Sequence, residues 1–349
     1  MPAMKALVMR EYGKLTFEDV PMPEPGSDEV LVRVRACSVC GSDVHGFDGS
    51  TGRRRPPVIM GHEAAGIIEA CGPDVKGYRV GDRVTFDSTI YCGRCEKCRT
   101  GLVNLCPSRR VLGVSCGEYN RNGCFAEYVN IPEHILYRLP DGVTFVQASM
   151  VEPLSVAYHA ATRTPIGPED TVAVVGVGTI GLLTLQVARA LGAKRVVAVD
   201  IDEARLKVAR ENGADACVNS ADPDAAARIR AAAGGDGVDI AFDATGIDAT
   251  VNLCIGCVRT GGTAVLIGNL APEVRIPLQR VVTGQISLLG SCASAGEYPQ
   301  CLELIASGRV NVDAMISRVV PLREGDLWMR KIYNREDGLT KICFDCTEV

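Results

Sequence analysis

Residues 171–185 read TVAVVGVGTIGLLTL, and this stretch decides the fold. A β-forming run precedes three glycines, Gly176, Gly178 and Gly181, and an apolar helical run follows them. This order predicts a buried strand, a tight turn and a helix with the glycine spacing of a dinucleotide-binding turn. Gly176 permits the turn, Gly178 lets a pyrophosphate approach the backbone, and Gly181 allows close packing of the helix on the strand.

The next strand-like run, RVVAVD, ends at Asp200, 22 residues after Gly178. A carboxylate at this distance accepts hydrogen bonds from the adenosine ribose hydroxyls and repels a 2′-phosphate, so we predict NAD as the cofactor. Thr179 and Ile180 lie in the first turn of the predicted helix, where backbone N–H groups favour a phosphate. Arg205 is a candidate for a phosphate contact, with a solvent-facing position as the alternative.

The segments around this turn predict two kinds of domain. From residue 150, strand-like runs alternate with helical runs of 10–14 residues, which indicates βαβ units and a parallel sheet. Residues 1–150 instead carry short alternating runs such as EVLVRVRA, typical of an all-β, barrel-like domain. After residue 293 we expect one helix (PQCLELIASG) and a tail with short strands. The prediction is an α/β plus β protein: a β-barrel domain formed by residues 1–154 and 293–349, and an inserted doubly wound domain at 155–292.

Composition limits the function classes. The chain has 349 residues, 47% of them hydrophobic and 23% charged, as in soluble globular proteins. A net charge of −5 without a long Lys/Arg run argues against nucleic acid as the main partner. The longest apolar stretch, 172–185, is interrupted by glycines, so we expect no membrane span. The amino terminus lacks an apolar signal region, so we expect a cytoplasmic protein.

In a reducing compartment, the 16 cysteines indicate metal or catalysis more than disulfides. Cys92, Cys95, Cys98 and Cys106 lie within 15 residues of each other, in a lobe at 90–112 with little apolar periodicity. Four thiolates so close together suit a tetrahedral zinc ion with no open coordination position. We therefore predict one structural zinc.

A second, dispersed set has a different composition. Cys40, His62, Glu63 and Glu152 offer one thiolate, one imidazole and two carboxylates, a mixture suited to a catalytic zinc that keeps one position open. Taken singly, Cys40 fits a core position and His62-Glu63 fits a turn. Three other pairs have CxxC spacing. Cys254 and Cys257 lie at helical spacing in an apolar pattern, which favours buried thiols, and Cys37, which pairs with Cys40, is expected to pack in the core. Cys343 and Cys346 lie in a strand-like run, KICFDC, and should point to opposite faces, so a redox role is not favoured for Cys254/Cys257 or for Cys343/Cys346.

Five motifs occur in a characteristic order: CGSDVH at 40–45, GHE at 61–63, the four-cysteine motif, EPLSVAYHA at 152–160 and GVGTIG at 176–181. Their combination resembles the zinc-dependent medium-chain dehydrogenase/reductase superfamily, most closely its polyol branch of sorbitol (L-iditol) dehydrogenase-like enzymes. The resemblance covers essentially the whole chain. It implies a GroES-like catalytic domain around a Rossmann domain, NAD-linked oxidation of a secondary alcohol to a ketone, and a homodimer or homotetramer.

The resemblance also implies roles for individual residues. The catalytic zinc ligands fall on Cys40, His62 and Glu63, and Glu152 corresponds to a carboxylate that binds zinc-bound water, or the metal itself in some members. Ser42 and His45 match the proton relay. The resemblance further places Asp243 and Gly268 close to the cofactor.

Some positions depart from the family pattern. Ala293 and Ser294 stand where sorbitol dehydrogenases carry an Arg-Tyr-like pair, and Gly46 stands where an aromatic residue often follows the relay histidine. These departures leave the implied reaction, oxidation of a polyol or sugar derivative, unchanged, but they do not single out sorbitol as the substrate. Residues 53–55, RRR, are expected to form a solvated basic loop, with a contact to a sugar phosphate as the alternative.

Two other functions stay open at this point. The same skeleton serves threonine-type amino-alcohol dehydrogenases and simple secondary alcohol dehydrogenases. A non-catalytic zinc or redox sensor is a third possibility, and it is opposed by the presence of Cys40, His62, Glu63, Ser42 and His45.

Overall fold

The structure, a computed structural model, describes residues 2–115 and 117–348, and the chain forms two units. The first comprises Met1–Glu152, Ala295–Ala306 and Met315–Val349, and the second comprises Pro153–Ser294 and Ser307–Ala314. Each unit has its own buried apolar cluster.

The first unit is built mainly of short strands, because its alternating runs bury one face and expose the other. In Glu29–Ser38, for example, Val30, Val32 and Val34 are buried and Arg33 lies between them half-buried. In chain order to residue 150, the elements are β1 (Ala3–Glu11), β2 (Lys14–Pro21), β3 (Glu29–Ser38), α1 (Gly41–Gly46), β4 (Val58–Ile59), β5 (Glu63–Cys71), β6 (Arg83–Phe86), β7 (Thr89–Ile90), α2 (Glu96–Arg99), β8 (Arg110–Val111), β9 (Tyr128–Pro132), β10 (Leu136–Arg138) and α3 (Phe145–Ser149).

Strands and helices alternate in the middle of the chain, as predicted. The elements are α4 (Val151–Ala161), β11 (Thr171–Val175), α5 (Thr179–Ala190), β12 (Arg195–Asp200), α6 (Glu203–Glu211), β13 (Ala216–Asn219), α7 (Ala225–Ala233), β14 (Val238–Asp243), α8 (Asp248–Cys257), β15 (Val258–Leu266), α9 (Leu278–Thr283) and β16 (Ser287–Gly290). The last part of the chain contributes α10 (Tyr298–Ala306), β17 (Arg318–Pro321), α11 (Gly325–Tyr333) and β18 (Ile342–Asp345).

The sheet of the second unit has the order β13-β12-β11-β14-β15-β16, and every neighbouring pair is parallel. Counted within the unit this is 3-2-1-4-5-6, the doubly wound Rossmann order, with the order reversing between β11 and β14. The predicted doubly wound parallel sheet is confirmed. Its glycine-rich turn follows β11, at the carboxyl end of a central strand.

The first unit contains a sheet of order β10-β6-β5-β3-β18-β17, in which β9 also pairs with β3. A second sheet, β2-β1-β4, is linked to it by an antiparallel bridge between Ala6 and Ala126. Strand β3 lies between β5 and β18 and is antiparallel to both. This β-rich unit confirms the predicted β-barrel component, and it brings the end of the chain back onto the first 150 residues.

The structure corrects the prediction for the tail. The tail contains helix α11 as well as short strands. The helix begins at Gly325, which packs closely on β1: a Cβ atom at Gly325 would lie 2.0 Å from Leu7 Cδ1. Residues 307–314, predicted to belong with the β-barrel domain, cluster with the second unit because the Asn311 N–H donates to Gln186 Oε1 at 2.7 Å. The other domain boundaries remain a prediction.

Two further expectations concern burial. Cys37, Cys254 and Cys257 are buried, as predicted, and Cys343 and Cys346, expected on opposite faces of a strand, are buried as well: all five are at most 4% exposed. Among the described residues, no helix is both long and apolar enough to cross a membrane.

Gly181 is the position in the turn where close packing leaves no room. A Cβ atom at Gly181 would lie 1.8 Å from the carbonyl oxygen of Gly176, whereas one at Gly178 would meet nothing within 4 Å. Gly181→Ala should therefore destabilise the protein by about 1–3 kcal/mol. Thermal unfolding should show a lower Tm for Gly181→Ala and a nearly unchanged Tm for the matched variant Gly178→Ala. Equal Tm values for the two variants would contradict this packing.

Candidate active site and metal centres

The four predicted structural cysteines converge in the lobe that carries α2. Their sulfur atoms are 3.4 Å apart for Cys95–Cys98 and 3.9 Å apart for both Cys92–Cys98 and Cys95–Cys106. A tetrahedron of sulfurs about 2.3 Å from zinc has edges of roughly 3.8 Å. The residues present therefore fit a zinc ion without rearrangement.

In this cluster the surroundings favour a thiolate at Cys92 and oppose one at Cys98, since burial and the Cys95 thiol raise the pKa of Cys98 to about 12. Backbone N–H groups of Arg94 and Cys95 lower the pKa of Cys92 to about 6. Four sulfur ligands close the coordination shell, so this centre has no position for a substrate. Its geometry supports a structural role.

A second group of possible ligands lies at one end of the large sheet of the first unit. Ligand atoms of Cys40, His62 and Glu63 all lie within 4.8 Å of one another. The strand register explains why: Ser38, near the end of β3, is opposite Glu63, the first residue of β5. Cys40 follows β3 by two residues and His62 precedes β5, so antiparallel pairing brings the three side chains together. We call these three residues the sheet-end cluster.

Cys40 is fixed by the start of α1. It is the N-cap residue, and its sulfur accepts hydrogen bonds from the Ser42 N–H at 3.4 Å and from the Ser42 hydroxyl at 3.3 Å. The Asp43 carboxylate accepts in turn from the Cys40 N–H at 3.3 Å. The CGSDVH motif thus forms a capping box that presents the sulfur and the Ser42 hydroxyl side by side.

His62 is buried, and the Asp43 carboxylate faces its Nδ1 at 3.6 Å without a hydrogen bond. Burial lowers the pKa of His62, but the charges of Asp43 and Cys40 raise it by more, to about 10. The same negative charge favours a divalent cation, which would displace the proton. An imidazole with a carboxylate on its far side is the usual arrangement around a bound zinc ion.

Arg54 overturns one expectation of the sequence analysis. Instead of lying in a solvated loop, it is 3% exposed and its Nη2 donates to Asp43 Oδ1 at 2.9 Å and to Ser42 Oγ at 3.1 Å. Gly46 makes room for it, since a Cβ atom there would lie 2.5 Å from Arg54 Cδ. Arg53 and Arg55 are exposed, as expected. No pattern within the triplet distinguishes its middle member.

Glu63 has a partner that sequence reasoning missed. Lys341, the residue before β18, is 2% exposed and its Nζ lies 2.5 Å from Glu63 Oε2. Burial lowers the pKa of Lys341, but Glu63, Cys40 and Glu152 raise it by more, so the lysine is charged. A lysine before a strand ordinarily indicates an exposed strand end, so nothing in the sequence indicates that Lys341 is buried beside Glu63.

Glu152, in the first turn of α4, lies beside the sheet-end cluster. Among the described residues it is not part of the group within 4.8 Å, and its Oε1 accepts a hydrogen bond from Ser88 Oγ at 2.8 Å. Burial raises the pKa of Glu152, and the charges of His62 and Lys341 lower it while that of Glu63 raises it. This position suits a carboxylate near the metal better than a direct ligand.

The two predicted relay residues lie on the same short helix. Ser42 is half-buried at the start of α1, and His45 is exposed at its end. Within the described residues no hydrogen bond joins their side chains. The arrangement places one hydroxyl near the ligands and one imidazole at the solvent boundary.

The predicted nucleotide site lies in the second unit. Gly176 has a φ of +86°, and Gly178, the N-cap of α5, leaves open space where a side chain would be. Thr179 and Ile180 form the first turn of α5 and are half-buried. The helix start is therefore open to an anion, as the glycine pattern predicts.

Asp200 ends β12 and is 6% exposed. Its Oδ2 accepts from the Val177 N–H at 2.8 Å, and its Oδ1 accepts from the Asp202 N–H at 3.0 Å. These bonds hold the carboxylate at the glycine turn while each oxygen keeps a further lone pair. Arg205 is 44% exposed, with its guanidinium 3.9 Å from Asp200 Oδ2 and 3.8 Å from Asp202 Oδ2.

Asp243 and Gly268 lie at the carboxyl ends of neighbouring strands. Asp243 ends β14, is fully buried, and accepts a hydrogen bond from the Gly246 N–H at 2.8 Å. Gly268 follows β15, and a Cβ atom there would lie 2.1 Å from the carbonyl carbon of Thr245. Both belong to the strand edge where doubly wound sheets bind their ligands.

Comparison with known proteins gives consistent results. Residues 26–141 match the family model "Alcohol dehydrogenase GroES-like domain", and residues 179–307 match "Zinc-binding dehydrogenase". The chain is 34% identical to a sorbitol dehydrogenase of Bacillus subtilis (90% of this chain, 89% of that protein) and 36% identical to an L-idonate 5-dehydrogenase of Vitis vinifera (90% and 86%). A Sinorhizobium meliloti protein described as a zinc-binding dehydrogenase, solved with NADP bound, superposes with a TM-score of 0.89 at 34% identity (99% of this chain, 100% of that chain).

Loss of one cysteine from the lobe should affect stability more than chemistry. Cys95→Ser removes one of four ligands, so zinc binding to the lobe should be lost, and Tm should fall by at least about 5 °C. Zinc content per chain and thermal unfolding measure this, with Cys292→Ser, an exposed cysteine outside the lobe, as control. A Cys95→Ser protein with wild-type Tm and zinc content would refute the assignment.

Proposed function

We propose a substrate class and a cofactor for this chain, which belongs to the zinc-dependent medium-chain dehydrogenase/reductase family and, within it, to the polyol dehydrogenase branch. It oxidises a secondary hydroxyl of a polyol or sugar derivative to a ketone, with NAD as hydride acceptor. The observation that carries the proposal is the sheet-end cluster, Cys40, His62 and Glu63, with its ligand atoms within 4.8 Å. The sorbitol and L-idonate dehydrogenase relatives support the substrate class.

The donor set fits a catalytic zinc ion. One sulfur, one imidazole and one carboxylate leave a tetrahedral ion one position short of a full shell. A zinc ion held there supplies Lewis acidity that lowers the pKa of a substrate hydroxyl. Oε1 of Glu63, buried without a hydrogen-bond partner and not held by Lys341, is the kind of atom that a bound ion satisfies.

Proton movement falls to residues of α1. Ser42 Oγ, beside Cys40, accepts the proton of the substrate hydroxyl and releases its own hydroxyl proton toward solvent, while Arg54 Nη2 holds that oxygen in place through a hydrogen bond of 3.1 Å. His45, exposed at the end of the helix, passes a proton to water. Glu152, held by Ser88, orients the substrate or a water molecule next to the ligands.

The nucleotide turn favours NAD. Bound NAD accepts the hydride, and the protein supplies the orientation of the ring and the ribose. Asp200 is fixed by two backbone N–H groups and directs negative charge to the ribose position, where a 2′-phosphate would be repelled. Arg205 lies against two carboxylates, which leaves little net positive charge for a 2′-phosphate. The remaining cofactor positions are proposed as Gly176, Gly178, Thr179, Ile180, Gly181, Asp243 and Gly268.

The choice between a neutral and a phosphorylated substrate depends on the RRR triplet. Its middle arginine is buried in an ion pair with Asp43 and so is not available to a phosphate group, whereas Arg53 and Arg55 are exposed. The same skeleton also serves amino-alcohol and simple secondary alcohol dehydrogenases, which the substrate panel below distinguishes.

We also propose that the chain forms a homodimer or homotetramer. Strand β16 is at the edge of the parallel sheet, and Leu278 and Val282 of α9 are 65% and 67% exposed. We place the protein in the cytoplasm, whose reducing environment suits clustered cysteines that serve as metal ligands.

Replacing His62 tests the proposed chemistry. His62→Ala should bind one zinc fewer per chain than the wild type and lose oxidation of every alcohol, while NADH affinity stays within about twofold, because the nucleotide turn is untouched. The assay measures NADH absorbance with sorbitol, a hexitol phosphate, threonine and 2-butanol, and His134→Ala serves as the matched control. The wild type should be fastest with the neutral polyol. Full activity of His62→Ala would contradict the mechanism. A preference of the wild type for threonine would change the proposed substrate class to amino alcohols.

Asp200 should determine the choice of nucleotide. The wild type should prefer NAD over NADP by tens-fold or more in kcat/KM, since charge repulsion and lost ribose hydrogen bonds cost about 1–3 kcal/mol each. Asp200→Ala should narrow the ratio, chiefly by weakening NAD. Equal kcat/KM values for the two cofactors in the wild type would remove Asp200 from this role.

A further inference from the structure

Lys341 is a charged residue buried beside the sheet-end cluster. Its side chain is 3% exposed, and its Nζ lies 2.5 Å from Oε2 of Glu63, whose side chain is 1% exposed. It comes from the far end of the chain and reaches the cluster because β18 pairs with β3, with Cys343 opposite Ser38. The same Ser38 is opposite Glu63 on the other side of β3. The register therefore fixes the lysine next to one particular ligand.

A buried ion pair is a costly way to stabilise a fold. Removing two charges from water carries a desolvation penalty that their attraction often only balances, and apolar residues of similar volume frequently do as well or better. A lysine at this place therefore calls for an explanation beyond packing. The carboxylate that Lys341 contacts belongs to Glu63, the oxygen ligand of the sheet-end cluster.

The charges of the site suit a divalent cation. The carboxylates of Asp43, Glu63 and Glu152 lie near three groups that carry positive charge without a metal ion: Arg54, Lys341 and His62, whose pKa is raised to about 10. A zinc ion bound by the imidazole would replace the His62 proton.

The two oxygens of Glu63 differ in their surroundings. Both oxygens are buried without a hydrogen-bond partner among the described residues, but the ion pair with the Lys341 Nζ, at 2.5 Å, is made by Oε2. A carboxylate with one oxygen held by a cation has only the other available to a metal ion. A carboxylate with both oxygens free can bind through both and fill an additional coordination position.

We propose that Lys341 is a positioning residue that restricts Glu63 to one metal-binding oxygen and so keeps a coordination position open for the substrate. The proposal rests on the proposed function, because it requires a catalytic zinc ion at the sheet-end cluster. Lys341 acts through Glu63: by holding one carboxylate oxygen, it limits how tightly the zinc is bound. The lysine thus lowers the zinc affinity and keeps a coordination position open for the substrate.

This role predicts changes of opposite sign in Lys341→Met. Without the ammonium group, zinc affinity at the sheet-end cluster should increase by on the order of tenfold, because Glu63 can then offer both oxygens to the ion. The kcat/KM for the alcohol should fall by about tenfold or more, because the open position is lost. A lysine that only stabilised the fold would give the opposite change in affinity, since a loosened site binds zinc more weakly.

The experiment is a chelator competition on the purified zinc enzyme, followed by metal analysis, with kcat/KM measured on the same samples. Lys341→Arg keeps the charge and should retain both wild-type values within about threefold. Lys207→Met, which removes an exposed lysine of the second unit, controls for net charge. The double variant Lys341→Met/Glu63→Gln removes both members of the buried pair, so it should fold even if the single variant does not. Its zinc affinity should match that of Glu63→Gln within about threefold, since the lysine acts through the carboxylate.

The outcomes separate this proposal from the proposed function. A wild-type enzyme without zinc at the sheet-end cluster would overturn both. Zinc bound in the wild type, but held equally or more weakly by Lys341→Met, would overturn the role of Lys341 alone. If Lys341→Met does not fold, the double variant is compared with Glu63→Gln. A tenfold difference between their zinc affinities would also overturn the role of Lys341.

Discussion

The register of β3 between β5 and β18 is the constraint on which the site depends. Ser38 is opposite Glu63 on one side and Cys343 on the other, so three chain segments that are distant in sequence end at the same edge. That edge collects the thiol, the imidazole, the carboxylate and the lysine. A shift by one residue would turn the side chains of a strand to the opposite face of the sheet and separate these groups.

The charged groups at this edge of the sheet stabilise one another electrostatically. Buried carboxylates are unfavourable without partners, and here Asp43 has Arg54 while Glu63 has Lys341. The charges of Asp43 and Cys40 raise the pKa of His62, and the same charges would attract a divalent cation. Zinc binding and the stability of this end of the sheet are therefore coupled, as they are in metal sites generally.

Much of this could be predicted from the sequence, because local patterns carry the information. The glycine turn, the alternation of strands and helices after residue 150 and the clustered cysteines each lie within a short stretch. Arg54 and Lys341 could not be predicted, since their burial depends on pairing across strands and on the space left by Gly46. Helix α11 was missed although its sequence is amphipathic, with Met329 buried and Trp328 and Ile332 packed on the apolar cluster, because the pattern extends over only nine residues.

The central claim is that one chain holds two zinc ions of different character. The most direct measurement is an anomalous difference map at the zinc absorption edge from crystals of the protein purified without chelators. The account predicts two peaks per chain, one enclosed by Cys92, Cys95, Cys98 and Cys106, and one at Cys40, His62 and Glu63. A single peak in the four-cysteine lobe, from enzyme that oxidises a polyol at full rate, would contradict it.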